Sequence, residues 1–262
     1  MSPIWGRYGP FFLYGYTALL IIGTLLALAL TAFLARQRQA AGERDLQTGA
    51  PAWLDAALVA AGGAVAGGRA AYVSLNATYF SENPAEAWQF WRGGLNYHGA
   101  LLAGLAALAL WAFLSRRRFL TYAALLAPGL ALLVAFGWAG CLVDGCAYGR
   151  PTLPGPLAAD LPDDTGIMAL RYRTQAAGAL GTLTVFALSW RATRQVSPPR
   201  LFWGTLAGLA AVHALVALGR GDPSPTVLGL RIDLVFELVI LFVALVGLIL
   251  AGNRPPNTDS RP

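Results

Sequence analysis

Charged side chains are scarce in this sequence of 262 residues, because they make up only 12% of it while hydrophobic residues make up 56%. A soluble globular domain usually carries about 25% charged residues. A chain this poor in charge lacks the polar surface that a water-soluble fold needs. The composition therefore indicates an integral membrane protein.

Lysine is absent, and all nineteen basic residues are arginine. This absence excludes a lysine nucleophile and a retinal-type Schiff base. Cysteine is scarce as well, and two cysteines are too few for a framework of disulfides. The formal net charge of +6 does not point to nucleic acid, because arginine accumulates in the cytoplasmic loops of membrane proteins.

Seven apolar runs are long enough, or nearly long enough, to cross a bilayer, which takes about 20 residues. They lie at 11–35, 52–75, 97–114, 122–142, 174–190, 201–219 and 233–252. Eleven arginines cluster in the loops and the tail on one side of these runs, against seven isolated arginines on the other side. The pattern predicts an all-α integral membrane protein with seven transmembrane helices, its N-terminus outside and its C-terminus in the cytoplasm.

The chain is predicted to form one membrane domain over residues 1–252, followed by a disordered cytoplasmic tail over the polar, proline-rich residues 253–262. The loop 76–96 is rich in aromatic residues, and we expect it to lie in the outer headgroup layer.

Within that loop, Asn83-Pro84-Ala85-Glu86 is typical of a helix start, with Asn as the N-cap and Pro at the first helical position. We therefore predict a short interfacial helix that carries Trp88 and Trp91 on one face. An irregular loop with scattered aromatic residues is the alternative.

Most polar and charged residues inside the apolar runs lie in their outer halves, and each charge needs a reason, because it costs a few kcal/mol. Arg69 lies about seven residues below the outer end of its run, His213 seven below Arg220, and Glu237 six below Arg231. At 1.5 Å per residue these positions share a depth of roughly 10 Å. The shared depth predicts an Arg69–Glu237 ion pair beside His213, either as a structural link or in a polar cavity that opens outward.

His98 follows Gly93-Gly94 at the start of the third run, near water, where an imidazole can titrate and donate hydrogen bonds. For His213, a core histidine with satisfied hydrogen bonds is as good an interpretation as a functional one.

The stretch Gly137–Arg150 holds four glycines, both cysteines and Asp144. We interpret it as the lip of a membrane-embedded site, and a glycine-rich helix end with inert buried cysteines is the alternative. A third hypothesis is a thiol or metal site formed by Cys141, Cys146, Asp144 and His98, although this cysteine spacing is not a usual zinc pattern.

Several of these residues resemble the signatures of bacterial prolipoprotein diacylglyceryl transferases. The match to the family's His-Gly signature runs from Asn83-Pro84 through Trp91 and Gly93-Gly94-Leu95 to His98-Gly99. The shorter matches are Tyr14-Gly15, Gly67-Gly68-Arg69-x-x-Tyr72, Gly137-x-x-Gly140…Gly145…Gly149-Arg150, Thr174-Gln175 and Arg220-Gly221-Asp222. The resemblance covers nearly the whole chain and implies seven membrane-spanning helices with the N-terminus outside.

The sequence departs from the family pattern at several polar positions. Trp138 and Cys141 stand where the signature Gly-Arg-x-Gly-Asn has its arginine and asparagine, and His213 stands where the family has an arginine. Ala177 and Gly178 replace the Tyr and Glu that follow the family's glutamine. Two alternatives are therefore a non-catalytic phospholipid-binding protein and a relative that uses another acceptor.

The resemblance implies a transferase of lipoprotein biosynthesis in the bacterial inner membrane. The family moves diacylglycerol from phosphatidylglycerol to the thiol of a lipobox cysteine and releases glycerol phosphate. By resemblance, His98 and Tyr14 are the catalytic residues, with His98 as base or phosphate ligand. The implied substrate-binding residues are Arg69, Arg150, Gln175, His213 and Arg220, since arginine suits phosphate. Phosphatidylglycerol, the prolipoprotein and membrane lipids are the expected partners, without a cofactor, metal or nucleic acid.

Overall fold

The computed structural model describes residues 4–8, 11–43, 52–163 and 165–252. Its helices are α1 (Gly15–Ala40), α2 (Ala52–Leu75), the short α3 (Ala77–Glu82), α4 (Tyr97–Leu114), α5 (Phe119–Asp144), α6 (Thr174–Ala192), α7 (Pro198–Ala217) and α8 (Ile232–Gly252). Three antiparallel hairpins join β1 (Ile4–Tyr8) to β2 (Phe11–Tyr14), β3 (Ala158–Pro162) to β4 (Met168–Tyr172), and β5 (Thr226–Val227) to β6 (Leu230–Arg231).

A long helix overlaps most of each of the seven predicted apolar runs, and six of these helices are long and apolar enough to cross a membrane. The remaining long helix is α6. The predicted all-α membrane fold is confirmed. The count of seven spans, the orientation of the termini and the single domain over 1–252 stay predictions, and the predicted tail 253–262 lies outside the described residues.

Helix α5 is the central helix of the bundle and packs against α1, α6 and α7. Small buried side chains, among them Ala124, Ala127 and Ala131, let its neighbours come close. The main apolar core gathers around its first turns, where Tyr122 and Leu125 are fully buried. This core lies at the predicted cytoplasmic end, so the opposite half of the bundle is left for polar residues.

Helices α2 and α4 pack closely because glycines replace larger side chains where they touch. A β-carbon on Gly67 would overlap the side chain of Ala103, and one on Gly99 would lie 2.6 Å from the carbonyl oxygen of Gly67. The N–H of Asn96 donates to the carbonyl of Gly68 at 2.9 Å, and its side chain caps α4 by accepting from the N–H of Gly99. The start of α4, which carries His98, is thus fixed against α2.

The predicted interfacial helix in the loop 76–96 is wrong as a continuous element. The loop holds α3 and two 3₁₀ turns, Pro84–Glu86 and Phe90–Arg92, and the side chain of Asn83 caps neither turn. Pro84 does begin a 3₁₀ turn, as the sequence predicts, but the helix does not continue beyond Glu86. Trp88 is 82% exposed and Trp91 is 63% exposed.

Candidate functional site

A series of hydrogen bonds links four helices in the half of the bundle that the sequence predicts to lie outside. Trp138 of α5 donates its indole N–H to Nε2 of His213 on α7 at 2.9 Å. Nδ1 of His213 lies 3.0 Å from Oε1 of Glu237 on α8. The same carboxylate oxygen lies 2.9 Å from Nε2 of His98 on α4. We call these four residues the His98 cluster.

The donors in this series of hydrogen bonds determine which ring nitrogen of each histidine carries a proton. An indole nitrogen only donates, so Nε2 of His213 accepts and its proton sits on Nδ1. That proton points at Oε1 of Glu237, which accepts a second hydrogen bond from Nε2–H of His98. In neutral His98 the other ring nitrogen, Nδ1, is therefore unprotonated. It makes no hydrogen bond with any described residue, so it is the nitrogen that can take a proton from a substrate.

Aromatic rings pack against the two histidines of the cluster. The ring of Tyr97 lies 5.2 Å from that of His98 and 4.4 Å from that of His213, and Phe236 stacks on His98 at 5.2 Å. Glu237 is only 2% exposed. Within the described part of the chain, Oε2 of Glu237 and the hydroxyl of Tyr97 are buried without a hydrogen-bond partner. One acceptor and one hydroxyl thus remain for the polar groups of a ligand.

The predicted Arg69–Glu237 ion pair is wrong, because each residue has other partners. The guanidinium of Arg69 donates to the carbonyls of Glu86 (2.6 Å), Ala87 (2.8 Å), Gly93 (2.7 Å) and Gly94 (3.2 Å). These carbonyls belong to the loop that leads into α4. Arg69 therefore holds the loop in front of His98, and only one of its five N–H donors is left for a ligand.

Arg220, a predicted phosphate ligand, lies in a compact quartet of alternating charges. It pairs with Asp222 and, at 3.1 Å, with Asp233, while Arg231 pairs with the same two carboxylates. Burial alone would lower the pKa of Arg220, but its hydrogen bond to Asp222 and the nearby carboxylates raise that pKa above its ordinary value. Two carboxylates already neutralise this pair of arginines, so the quartet offers little attraction to a phosphate.

Arg150 pairs with no carboxylate among the described residues, and the residue is exposed. Its guanidinium lies 5.5 Å from the ring centre of Tyr172, while its backbone N–H donates to the carbonyl of Gly219 at 2.9 Å. A hydrogen bond with Thr152 and the charge of Arg150 lower the pKa of Tyr172. Of the predicted arginines, Arg150 is the one whose geometry best suits a phosphate.

The two cysteines form a disulfide, Cys141–Cys146, across the end of α5. The hypothesis of a thiol or metal site is therefore wrong, because the sulfur atoms are bonded to each other. Gln175, a predicted substrate ligand, is buried and donates to the carbonyl of Cys146 at 3.1 Å, while Thr174 donates to that of Ala147 at 2.8 Å. These contacts give Gln175 a structural role at the turn that follows α5.

Tyr14 ends β2 directly before α1, and its side chain is 40% exposed. Tyr14 takes part in none of the three hydrogen bonds that define the His98 cluster. Of the predicted site residues, the structure thus brings His98 and His213 together through Glu237. The sequence interpretation missed Trp138 and Tyr97 as members of the site, although Trp138 stood out as a departure and Tyr97 precedes His98.

An apolar cavity of about 180 Å³ lies between α1, α2, α4, α5 and α7. Its lining is almost entirely aliphatic and small, and it includes Ala100, Leu133 and Leu209. Ala100 lies two residues inward from His98, Leu133 five residues inward from Trp138, and Leu209 four residues inward from His213. The cavity therefore continues inward from the level of the His98 cluster.

Comparison with known proteins bears directly on this site. The model of a family described as prolipoprotein diacylglyceryl transferase matches residues 3–250. The chain is 30% identical to a phosphatidylglycerol–prolipoprotein diacylglyceryl transferase of Trichormus variabilis, over 84% of this chain and 76% of the relative. It is 31% identical to the transferase of Bordetella parapertussis over 75% and 76%, and 29% identical to that of Corynebacterium diphtheriae over 94% and 90%. The resemblance found in the sequence motifs is confirmed.

Proposed function

The chain belongs to the prolipoprotein diacylglyceryl transferase family, and from this premise we propose that it transfers diacylglycerol from phosphatidylglycerol to a prolipoprotein at the His98 cluster. We further propose that the acceptor is the thiol of a lipobox cysteine. The observation that carries the assignment of the site is the hydrogen bond between His98 and the buried carboxylate of Glu237, which leaves Nδ1 of His98 unprotonated.

The reaction needs a base, because a thiolate and not a thiol is the nucleophile. In the proposed step, Nδ1 of His98 takes the proton of the acceptor thiol. The thiolate sulfur then forms a bond to the carbon of the diacylglycerol unit that carries the phosphate ester. The bond between that carbon and the phosphate oxygen breaks. Glycerol phosphate leaves with that electron pair. The carboxylate of Glu237, 2.9 Å from Nε2 of His98, stabilises the imidazolium that forms.

The leaving phosphate needs positive charge, and Arg150 is our candidate for its ligand. Its guanidinium is exposed and pairs with no carboxylate in the described chain, whereas Arg220 is matched by two. A planar guanidinium can donate two parallel hydrogen bonds to a phosphate.

The apolar cavity beside the cluster suits part of the lipid's hydrocarbon. Its aliphatic lining includes Ala100, two residues inward from His98, and Leu209, four residues inward from His213. Its small residues leave room between helices that would otherwise be filled by larger side chains. A lipid with its tails there would bring its headgroup to the level of the cluster.

We propose that the protein is a multi-pass protein of the bacterial inner membrane, with the His98 cluster at its periplasmic face. The disulfide between Cys141 and Cys146 supports this orientation, because disulfides persist in oxidising compartments and are rare in the cytosol. It lies at the end of α5 that also carries Trp138. The arginine clusters at the other helix ends favour the same orientation.

The test is turnover by the purified protein in mixed micelles that contain phosphatidylglycerol and a lipobox peptide. The native protein should convert the peptide to its diacylglyceryl thioether, and His98→Asn should remove most of that activity, a loss of about 10²–10⁴-fold. His98→Asn should still fold and insert, since Asn keeps a polar side chain at the start of α4. Full activity of His98→Asn would refute the proposed base. No turnover by the native protein would favour a phospholipid-binding role.

A further inference from the structure

Three positions at which this chain departs from the family signature are neighbours in the structure. Trp138 donates its indole N–H to His213 at 2.9 Å. The indole ring also lies directly over Gly178, where a β-carbon would overlap the ring at Cδ2. Trp138 is 9% exposed and His213 is 8% exposed, so water does not compete for this hydrogen bond. The three departures therefore form one buried unit behind Glu237.

The unit determines where the protons of the His98 cluster lie. Because the indole nitrogen only donates, a proton on Nε2 of His213 would face another N–H at 2.9 Å, which is unfavourable. The hydrogen bond from Trp138 therefore favours the tautomer of His213 that carries its proton on Nδ1, directed at Glu237. Because this tautomer of His213 is uncharged, it does not compensate the negative charge of Glu237. That charge is then available to stabilise a positive charge on His98.

We propose that Trp138 is a positioning residue that keeps the proton of His213 on Nδ1, and that Gly178 provides the space for its indole ring. Through His213 and Glu237, Trp138 orients His98 with Nε2 protonated and Nδ1 bare. The catalytic consequence rests on the proposed function, but the arrangement of protons is a property of the folded protein and can be measured without any substrate.

The groups around Glu237 on every neighbouring helix support this assignment. Helix α4 contributes His98 and Tyr97, and α7 contributes His213. Helix α8 itself carries Asp233 one turn outward, where that carboxylate is paired with Arg220 and Arg231. Arg220 also acts on Glu237 through its charge. None of these groups offers Nε2 of His213 a second partner. Among them, the indole N–H of Trp138 is therefore the group that keeps Nε2 of His213 unprotonated.

The experiment uses the fact that the chain has only two histidines. The protein is labelled with ¹⁵N-histidine, purified through a histidine-free affinity tag, and studied by NMR in detergent micelles from about pH 5 to pH 8, where imidazoles change charge. In the native protein one histidine should remain protonated on Nδ1 only, and the other should carry its proton on Nε2 at neutral pH. A native protein in which His213 carries its proton on Nε2 would overturn the proposal.

Two variants disturb the indole without touching a histidine. Trp138→Phe removes the N–H, and Gly178→Ala pushes the indole away from its place. In both, His213 should take up a second proton as the pH falls, because Nε2 no longer faces an N–H donor. Trp111→Phe is the matched control, because Trp111 packs against Tyr122 at the far end of the bundle. A His213 spectrum unchanged in both variants would refute the role of Trp138, and if Trp138→Phe does not fold, the native spectrum and Gly178→Ala still decide.

Turnover supplies the second readout. Once His213 can become an imidazolium, it neutralises Glu237, and His98 binds its proton less tightly. In Trp138→Phe the acid limb of the pH–rate profile should therefore move to lower pH, and kcat should fall about 10- to 100-fold, as for other residues that orient a histidine from behind. KM for phosphatidylglycerol should stay within about threefold, by the same reasoning. A rise in KM at unchanged kcat would overturn the positioning role. Absence of turnover in the native protein would refute the proposed function and leave the NMR result standing.

Discussion

Glu237→Gln tests whether the buried carboxylate makes His98 a base. The substitution keeps the size of the side chain, and an amide oxygen in place of Oε1 can still accept from His98 and His213 at 2.9 and 3.0 Å. What disappears is the negative charge. Two unit charges about 4 Å apart interact by about 4 kcal/mol at an effective dielectric constant of 20. The imidazolium that forms during turnover loses up to that stabilisation, which corresponds to about a 10³-fold fall in kcat.

The stability of the folded protein should change far less than its activity. In the native protein Oε2 of Glu237 is buried and has no hydrogen-bond partner in the part of the chain that the structure describes, and a buried charge of this kind is costly. The amide removes that charge but places an N–H₂ donor in the same spot without a partner. The two effects oppose each other, so the free energy of unfolding should change by no more than about 1 kcal/mol. If Glu237 were paired with Arg69, Glu237→Gln would instead cause a large loss in the free energy of unfolding.

The assay is transfer from labelled phosphatidylglycerol to a lipobox peptide, with thermal unfolding measured on the same preparations. Glu82→Gln is the matched control, because Glu82 is exposed at the end of α3 and should leave both quantities unchanged. A Glu237→Gln enzyme with activity within a few fold of native would refute the reasoning. A protein that loses activity only because it unfolds would refute it as well.

Three further outcomes follow from other parts of the structure. Arg69→Gln removes four hydrogen bonds from the guanidinium to the loop before α4, so the protein should lose about 2–4 kcal/mol of stability and become sensitive to protease within residues 84–94. A cysteine introduced at Asn96 should be labelled by an impermeant maleimide in intact cells, and one at Ser115 should not, whereas the reverse would invert the orientation. Replacing both Cys141 and Cys146 by serine should lower the free energy of unfolding by about 2 kcal/mol, measured by thermal denaturation.

Hydropathy alone located the long helices, because the cost of burying polar backbone and side chains in a bilayer leaves few alternatives to an apolar helix. The run 52–75 coincides with α2, and the run 97–114 coincides with α4. The run 11–35 began too early, since its first residues form β2 and not a helix. Apolar residues suit both a strand and a helix, so a short hairpin at the end of a helix leaves little trace in a hydropathy profile.

The depth of a residue along its predicted helix identified part of the site, but it could not identify which side chains contact one another. His213 and Glu237 were placed at the same level, and they do touch. Arg69 was placed there too, yet its guanidinium turns toward the carbonyls of the loop before α4. Depth does not determine the direction in which a side chain points around the helix axis, nor does it count the backbone acceptors that a glycine-rich loop brings within reach. Trp138 was noted only as a missing arginine, because its partner on α7 is 75 residues away in sequence.

The arginines at the outer end differ in what they can still give to a phosphate, and this difference explains why charge counts alone mislead. Arg220 shares two carboxylates with Arg231, which compensate its charge and engage three of its five N–H donors. Arg69 binds carbonyls, which occupy its donors but leave its positive charge uncancelled, so it still favours an anion nearby. Arg150 keeps its charge and stands exposed beside the ring of Tyr172. Direct stabilisation of a leaving phosphate should therefore depend on Arg150, and Arg69 should contribute only through its field and through the loop that it holds before His98.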